Sequence, residues 1–245
     1  MVGKIFNLSY NVLMYRSWSK GFSKLNHPSL LKLSETMKRR KIDNFAVWRQ
    51  NAKAQGIIRS EYPAFERNGD LAELMGVVYG DGNIEKFPRT ERLIIAANSN
   101  ATNFIKRYQD LTRKMFNKEP TLMKSYNSNC VRISVYQSKI SKRLGIPTGN
   151  KSQIVVSLPK WIKNNREMLK RFLRGLFEAE GSFSVHKPTS TYKFSFSNRN
   201  DSLLKLVFDG LIVLGFHPNL SGCRVQISRK EEVYRSIEEL QFRKY

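Results

Sequence analysis

The feature that most constrains this chain is an internal repeat: the stretch that starts near Asp70 returns after roughly 100 residues, beginning near Asn165. Each copy opens on an apolar run of helical character that ends in an acid followed by glycine. Copy one reads Leu71-Ala72-Glu73-Leu74-Met75-Gly76-Val77-Val78-Tyr79-Gly80-Asp81-Gly82, and copy two reads Phe172-Leu173-Arg174-Gly175-Leu176-Phe177-Glu178-Ala179-Glu180-Gly181. Two strand-like runs follow in each, Asn83 to Phe87 with Arg92 to Ala97, and Ser182 to His186 with Tyr192 to Ser197. A polar Asn-x-Asn comes next, Asn98-Ser99-Asn100 and Asn198-Arg199-Asn200, whose second Asn is expected to cap the amphipathic helix behind it. A further strand pair contains Cys130 to Ser134 in one copy and Cys223 to Ser228 in the other, each leading into a last helix. The expected fold class is therefore α+β, with two pseudo-symmetric αββαββα halves packed through their opening helices.

The repeat divides the chain into residues 70–150 and 165–245, joined by a linker over 151–164. Gly145-Ile146-Pro147-Thr148-Gly149-Asn150-Lys151-Ser152 supplies the turn formers, and Leu158-Pro159-Lys160-Trp161 leads to the second copy. Residues 1–69 lie outside the repeat and read as a small basic helical extension. One helix is expected around Ser29 to Thr36, then the cluster Lys38-Arg39-Arg40-Lys41, then a second helix around Asp43 to Ala54. Two short helices with a basic hinge fit a helix-turn-helix-like DNA contact and a plain charged arm equally well.

Charge narrows the partner. A formal net charge of +23, from 43 Lys+Arg against 20 Asp+Glu, implies a polyanion, and nucleic acid comes first. Membrane binding is not expected, because no apolar run approaches the ~20 residues that span a bilayer and the basic residues are spread along the whole chain. With only Cys130, Cys223, His27, His186 and His217, no disulfide framework or Cys/His zinc site can be assembled, so any metal is a hard ion held by oxygen. The first acid is Glu35, which gives the N-terminus a faint transit-peptide character, but no apolar signal region accompanies it. A prokaryotic cytoplasm is the default location, with an organelle as the alternative.

Small residues recur four apart in both opening helices, Gly76 with Gly80 and Gly175 with Ala179, so two helix backbones are expected to approach closely. That packing brings Asp81 and Glu180 together, each at the last position of its helix before a Gly able to adopt a left-handed C-terminal cap. Two like charges at two negative helix ends repel, and a bound cation relieves the repulsion. Oxygen donors without His or Cys favour Mg²⁺ (or Mn²⁺), which keeps open positions for water and phosphate oxygens. The chemistry implied is metal-dependent hydrolysis of a DNA phosphodiester. A lone Asp-Gly would be an ordinary solvated helix end; its repetition in matching context argues for a site.

Leu74-Met75-Gly76-Val77-Val78-Tyr79-Gly80-Asp81-Gly82 and Leu173-Arg174-Gly175-Leu176-Phe177-Glu178-Ala179-Glu180-Gly181 resemble the two LAGLIDADG motifs of monomeric homing endonucleases. The resemblance covers residues 70–245. It implies two four-stranded sheets forming a basic saddle over DNA, with Asp81 and Glu180 as metal ligands and the adjoining Gly80 and Ala179 in the same metal site. Tyr79 and Arg174 depart from the motif without touching the ligands. The resemblance further implies a catalytic basic residue in each half, Lys151 in the first and, by position alone, Lys244 in the second, with Asn98 and Asn198 ordering water.

Alternate strand residues should face the DNA, which nominates Lys86, Arg92, Lys124, Arg132, Lys187, Lys193, Arg224 and Gln226. These rest on strand parity, which a one-residue slip inverts. The expected function is site-specific double-strand DNA cleavage, as in intron homing, by a monomer acting on a long asymmetric site, since one chain already supplies the pseudo-dimer. Two alternatives share the scaffold: an intron maturase that binds RNA, and a non-cleaving DNA-binding regulator. Both acids being present argues against each. The chain starts at Met1 and stops at Gln241-Phe242-Arg243-Lys244-Tyr245, with no nucleophile first and no His-Asn last, so a free-standing or intron-encoded enzyme is expected rather than the endonuclease part of an intein.

Overall fold

The computed structural model describes residues 21–43, 45–56, 61–149 and 154–245. The chain divides into two units, Met1–Ser60 and Glu61–Tyr245. In the first, Pro28 opens α1 (Pro28–Arg39), and α2 (Ala46–Ala54) follows a turn in which Asp43 accepts from the Phe45 N–H at 3.1 Å and pairs with Arg49. Among the described residues these helices bury only Ala52, and Phe45, Val47 and Trp48 stand exposed. The second unit starts earlier than the repeat. Arg143 donates to the Pro63 carbonyl at 2.9 Å and lies over the Phe65 ring, which meets Phe116 edge-on, so residues 61–68 pack against the first copy.

The second unit runs αββαββα twice. The first copy is α3 (Gly69–Gly80), β1 (Gly82–Lys86), β2 (Glu91–Asn98), α4 (Thr102–Phe116), β3 (Thr121–Lys124), β4 (Cys130–Gln137) and α5 (Ile140–Leu144). After the short α6 (Lys160–Lys163) the second is α7 (Arg166–Glu180), β5 (Gly181–His186), β6 (Thr191–Ser197), α8 (Asp201–Val213), β7 (Asn219–Ser221), β8 (Arg224–Ile227) and α9 (Lys230–Glu239). Each copy forms one antiparallel four-stranded sheet, ordered β1-β2-β4-β3 and β5-β6-β8-β7. The α+β reading with two like halves therefore holds. No helix of the described residues is long and apolar enough to cross a membrane.

Local chemistry sets the helix starts. Asn68, Asn165 and Asn200 are extended, and their side chains accept backbone N–H bonds from α3, α7 and α8. The exception is α4, where Ala101 and not Asn100 holds the cap position. Asn98 turns its own oxygen onto the Asn100 N–H at 2.9 Å ahead of this helix.

The two motif helices, α3 and α7, cross on glycine. A Cβ on Gly76 would lie 2.1 Å from the Phe172 carbonyl oxygen, one on Gly175 2.2 Å from that of Glu73, and one on Gly80 2.4 Å from the Ala179 Cβ. The helices touch backbone to backbone, and Leu74, Val77, Phe172, Leu176 and Phe177 around the crossing are fully buried. The small-residue spacing is thus explained by contact, but the left-handed caps are not found. Gly181 is extended (φ −85°), and Gly82 is not among the glycines with positive φ. Both are glycine because a Cβ would strike the backbone of Val78 or Phe177, at 2.4 and 2.2 Å, where helix turns directly into strand. Gly175→Ala should lower unfolding stability by roughly 1–3 kcal/mol or more, read by urea denaturation, since the crowding atoms are backbone and cannot rotate away; an unchanged midpoint would show that the helices can separate without cost.

Candidate metal and nucleic-acid site

The crossing brings together the helix ends that carry the two acids. Asp81 caps α3 and Glu180 ends α7; both are partly exposed, and the Glu180 Cγ lies 3.4 Å from where a Gly80 Cβ would be. The Ala96 N–H donates to the Asp81 carbonyl at 3.0 Å, tying this end of α3 to β2. Gly80 and Ala179 are the contact itself. Among the described residues no group of three or more His, Cys, Asp or Glu could hold a metal, so the site offers two carboxylates and leaves other positions to water or phosphate. This all-oxygen, anionic set at two helix C-termini fits a hard divalent ion such as Mg²⁺ or Mn²⁺.

Around Glu180 opens a cleft of 350 Å³ lined by Tyr79, Gly80, Asn83, Gly149, Ile154, Asn198 and Asn200 among others. Asn198 projects into it and donates its amide to Glu180 Oε1 at 3.4 Å, while its oxygen accepts from the Asn200 N–H at 2.9 Å. Asn98 makes the matching turn in the first copy. Lys151 lies outside the described residues, although Gly149 and Ile154 on either side of its segment both border the cleft.

Lys244 is a different matter. Its exposed ammonium pairs with Glu238, while its carbonyl accepts from Arg174 Nη2 at 2.7 Å, so only its backbone joins a buried polar cluster along the middle of α7, apart from the cleft at that helix's end. The short chain after α9 folds back against α7, carrying Lys244 with it. In that cluster Glu73, wholly buried, accepts from Arg107 at 2.6 and 2.8 Å and meets Arg171 at 2.9 Å and Arg174 at 3.7 Å. Glu178 accepts from the Arg243 N–H at 2.6 Å and from the Tyr245 hydroxyl. Arg174, a departure from the motif, therefore carries a structural role that no motif comparison suggests.

Burial pushes the Glu178 carboxyl above its ordinary value, against the opposing pull of Tyr245, Arg243 and Arg174. A group raised on folding contributes stability that is full below the unfolded value, about pH 4, and is lost as pH rises through the folded one. Glu178→Gln keeps an acceptor for the Arg243 N–H and should raise the melting temperature at neutral pH, with the gain narrowing as pH falls toward 4; a gain that does not depend on pH would contradict this sign.

The sheets settle which strand residues face outward. Leu93 and Ile95 of β2 and Phe194 and Phe196 of β6 are buried in the core, so the alternating set forms the outer faces. Register places Glu85, Arg92 and Tyr136 in one outer row and Ala96 with Arg132 in another. On the second sheet Ser184 pairs with Lys193, Ser195 with Gln226, and Ser197 with Arg224. Arg92, Arg132, Lys193, Arg224 and Gln226 are thus on the outer faces. Lys86 and Lys124 are not: they share parity with Ile84 and Leu122, whose rows contain the buried Leu93 and Ile133, because side chains alternate with a period of two. Lys187 begins a 3₁₀ turn, Lys187–Thr189, beyond the end of β5. Parity alone also passed over Glu85, Tyr136, Asn219 and Ser221, of which the last two help line a polar hollow of 500 Å³ with Ser197, Cys223, Arg224 and Gln226.

A family model described as a LAGLIDADG-like domain matches residues 167–241. The replication factor C small subunit of Methanocaldococcus jannaschii is 30% identical over 157 residues, which is 58% of this chain and 8% of that protein. The tRNA-splicing ligase RtcB of the same organism is 32% identical over 139 residues, 49% of this chain and 14% of that protein. The chain thus spans only a small part of these relatives. Among solved structures, a mesophilic variant of the homing endonuclease I-DmoI shares the fold with a TM-score of 0.50 at 19% identity, over 70% of this chain and 94% of that one. An I-DmoI variant solved with its target DNA in the presence of Mg gives 0.50 at 18% identity, over 71% and 96%. Full-length WhiA from Thermatoga maritima gives 0.54 at 16% identity, over 75% and 59%.

Proposed function

We propose that this chain, which carries a LAGLIDADG-like domain at residues 167–241, is a site-specific endonuclease that hydrolyses both strands of duplex DNA at a long asymmetric target. The observation that supports the reading is a backbone-to-backbone crossing of the two helices that end at Asp81 and Glu180, in a unit whose sheets hold Arg92, Arg132, Lys193 and Arg224 in their outer rows. Nothing in the packing of two helices calls for an acid at each negative end, and the placement is unfavourable without a cation.

A divalent ion bound there supplies positive charge to a phosphodiester and acidifies a water. The chain's own residues do the rest. Asp81 and Glu180 hold the ion, Asn198 orients the Glu180 carboxylate through its amide, and Lys151 is assigned to the scissile phosphate from a segment whose neighbours border the cleft. Outer-face cations neutralise backbone phosphates and fix the register of the duplex. A single chain acting on one target is part of this proposal, because the two halves already form the paired site.

The test is cleavage of duplex DNA spanning the gene's own insertion junction with the insert removed, with Mg²⁺ and with chelator. Metal-dependent double-strand cutting at one position is the expected result. Tight binding without cutting under Mg²⁺ or Mn²⁺ would replace the reading with a non-cleaving DNA-binding protein, and preference for the intron transcript over the duplex would replace it with a maturase.

A further inference from the structure

The outer row of the first sheet is built differently from its counterpart in the second. Arg92, in the middle of that row, is gripped from both sides: its Nε–H donates to Glu85 Oε2 at 2.9 Å, one Nη2–H donates to the same oxygen, and one Nη1–H donates to the Tyr136 hydroxyl at 3.0 Å. Its guanidinium carbon sits 5.7 Å from the Phe87 ring centre and 5.6 Å from that of Tyr136. An arginine has five N–H groups. These bonds use three and leave one N–H on each terminal nitrogen of the fork. Glu85 is also the wrong charge for a surface that meets phosphate, so its presence in a chain of +23 calls for another role. In the equivalent row of the second sheet, Lys193 stands beside Ser184, with no acid opposite it.

We propose that Glu85 and Tyr136 hold Arg92 as a preformed two-pronged reader of one guanine in the major groove. In this proposal the N–H left on each terminal nitrogen is turned end-on to O6 and N7 of guanine, the one base edge that offers two adjacent acceptors. Holding the fork removes the rotamer freedom that an arginine otherwise loses on binding, so the contact discriminates bases as well as attracting phosphate. Glu85 is then a positioning residue that also neutralises the charge Arg92 would spend on the backbone. Lys193, a flexible point charge, contributes affinity to its half-site without comparable base preference. The inference rests on the duplex-DNA reading above and deepens it by assigning one base to one row.

The experiment is selection of binding sites from a random duplex DNA library by the full chain in Ca²⁺, comparing wild type with Arg92→Lys, Tyr136→Phe and Glu85→Gln. Wild type should enrich a sequence with guanine fixed at one position facing the first half. Arg92→Lys should lose roughly 10-fold or more of the guanine preference at that position alone, with the rest of the sequence and the salt dependence retained. Tyr136→Phe and Glu85→Gln should weaken the same preference while overall affinity holds or, for Glu85→Gln, rises. A merely structural pair would lower the melting temperature of these variants and leave the preference where it was; that outcome, or a wild-type sequence with no position sensitive to Arg92, would overturn the assignment. Enrichment of no sequence by wild type is a separate result, which would remove the site-specific DNA reading and this inference with it.

Discussion

Asp81→Asn and Glu180→Gln should each slow DNA cutting by at least about 10²–10³-fold, the scale on which removal of one charge-stabilising group at a reacting centre acts. Binding of the same duplex should be kept or strengthened, because each variant deletes a negative charge at the surface proposed to meet phosphate. Both exchanges keep volume and hydrogen-bonding capacity, and both residues are partly exposed at helix ends, so the melting temperature should move little or rise as the repulsion at the two helix termini is relieved. That pairing of readouts separates a site from a structural feature. If Asp81→Asn cut within about threefold of the parent, the acid would have no share in stabilising the transition state. Loss of cutting together with loss of binding would instead point to a disturbed DNA-facing surface.

The second large effect is on stability and lies in the buried cluster, away from the acids. Glu73→Ala should cost about 3–5 kcal/mol, because it strands several buried or half-buried guanidiniums that now converge on one carboxylate. Arg107 loses two hydrogen bonds, at 2.6 and 2.8 Å, Arg171 is left with Asp70 after losing its contact at 2.9 Å, and the nearly fully buried Arg174 keeps its hydrogen bonds to Gln241 and the Lys244 carbonyl and the attraction of Glu178. For a unit of this size that corresponds to a fall in melting temperature of roughly 10 °C. A double variant, Glu73→Leu with Arg174→Leu, should recover part of the loss, since an apolar pair of similar volume often replaces a buried ion pair at little cost. A single-variant loss under about 1 kcal/mol would mean that the cluster is solvated in solution and that the halves are held by the glycine crossing alone.

Much of this architecture is legible in the chain because it is encoded over short distances. The repeat, the element order and the close crossing of α3 and α7, whose ends carry Asp81 and Glu180, follow from apolar periodicity and from small residues four apart, and a helix with glycine on one stripe has few other ways to bury that stripe. The asparagine cap expected at Asn200 is local in the same sense and is found, whereas the one expected at Asn100 is not. What only the tertiary structure decided depends on partners that are remote in sequence. Arg107 finds Glu73 across 34 positions, Lys244 meets Arg174 across 70, and Arg171 reaches Asp70 across 101. Lys86 and Lys124 changed faces for a related reason: a strand's own alternation gives two equal choices, and the buried partners Leu93 and Ile133 on neighbouring strands select one. Spacing along the chain fixes which elements form and how the two copies correspond; burial, which exists only once the elements pack, fixes which face of a strand meets the core and which charge meets which.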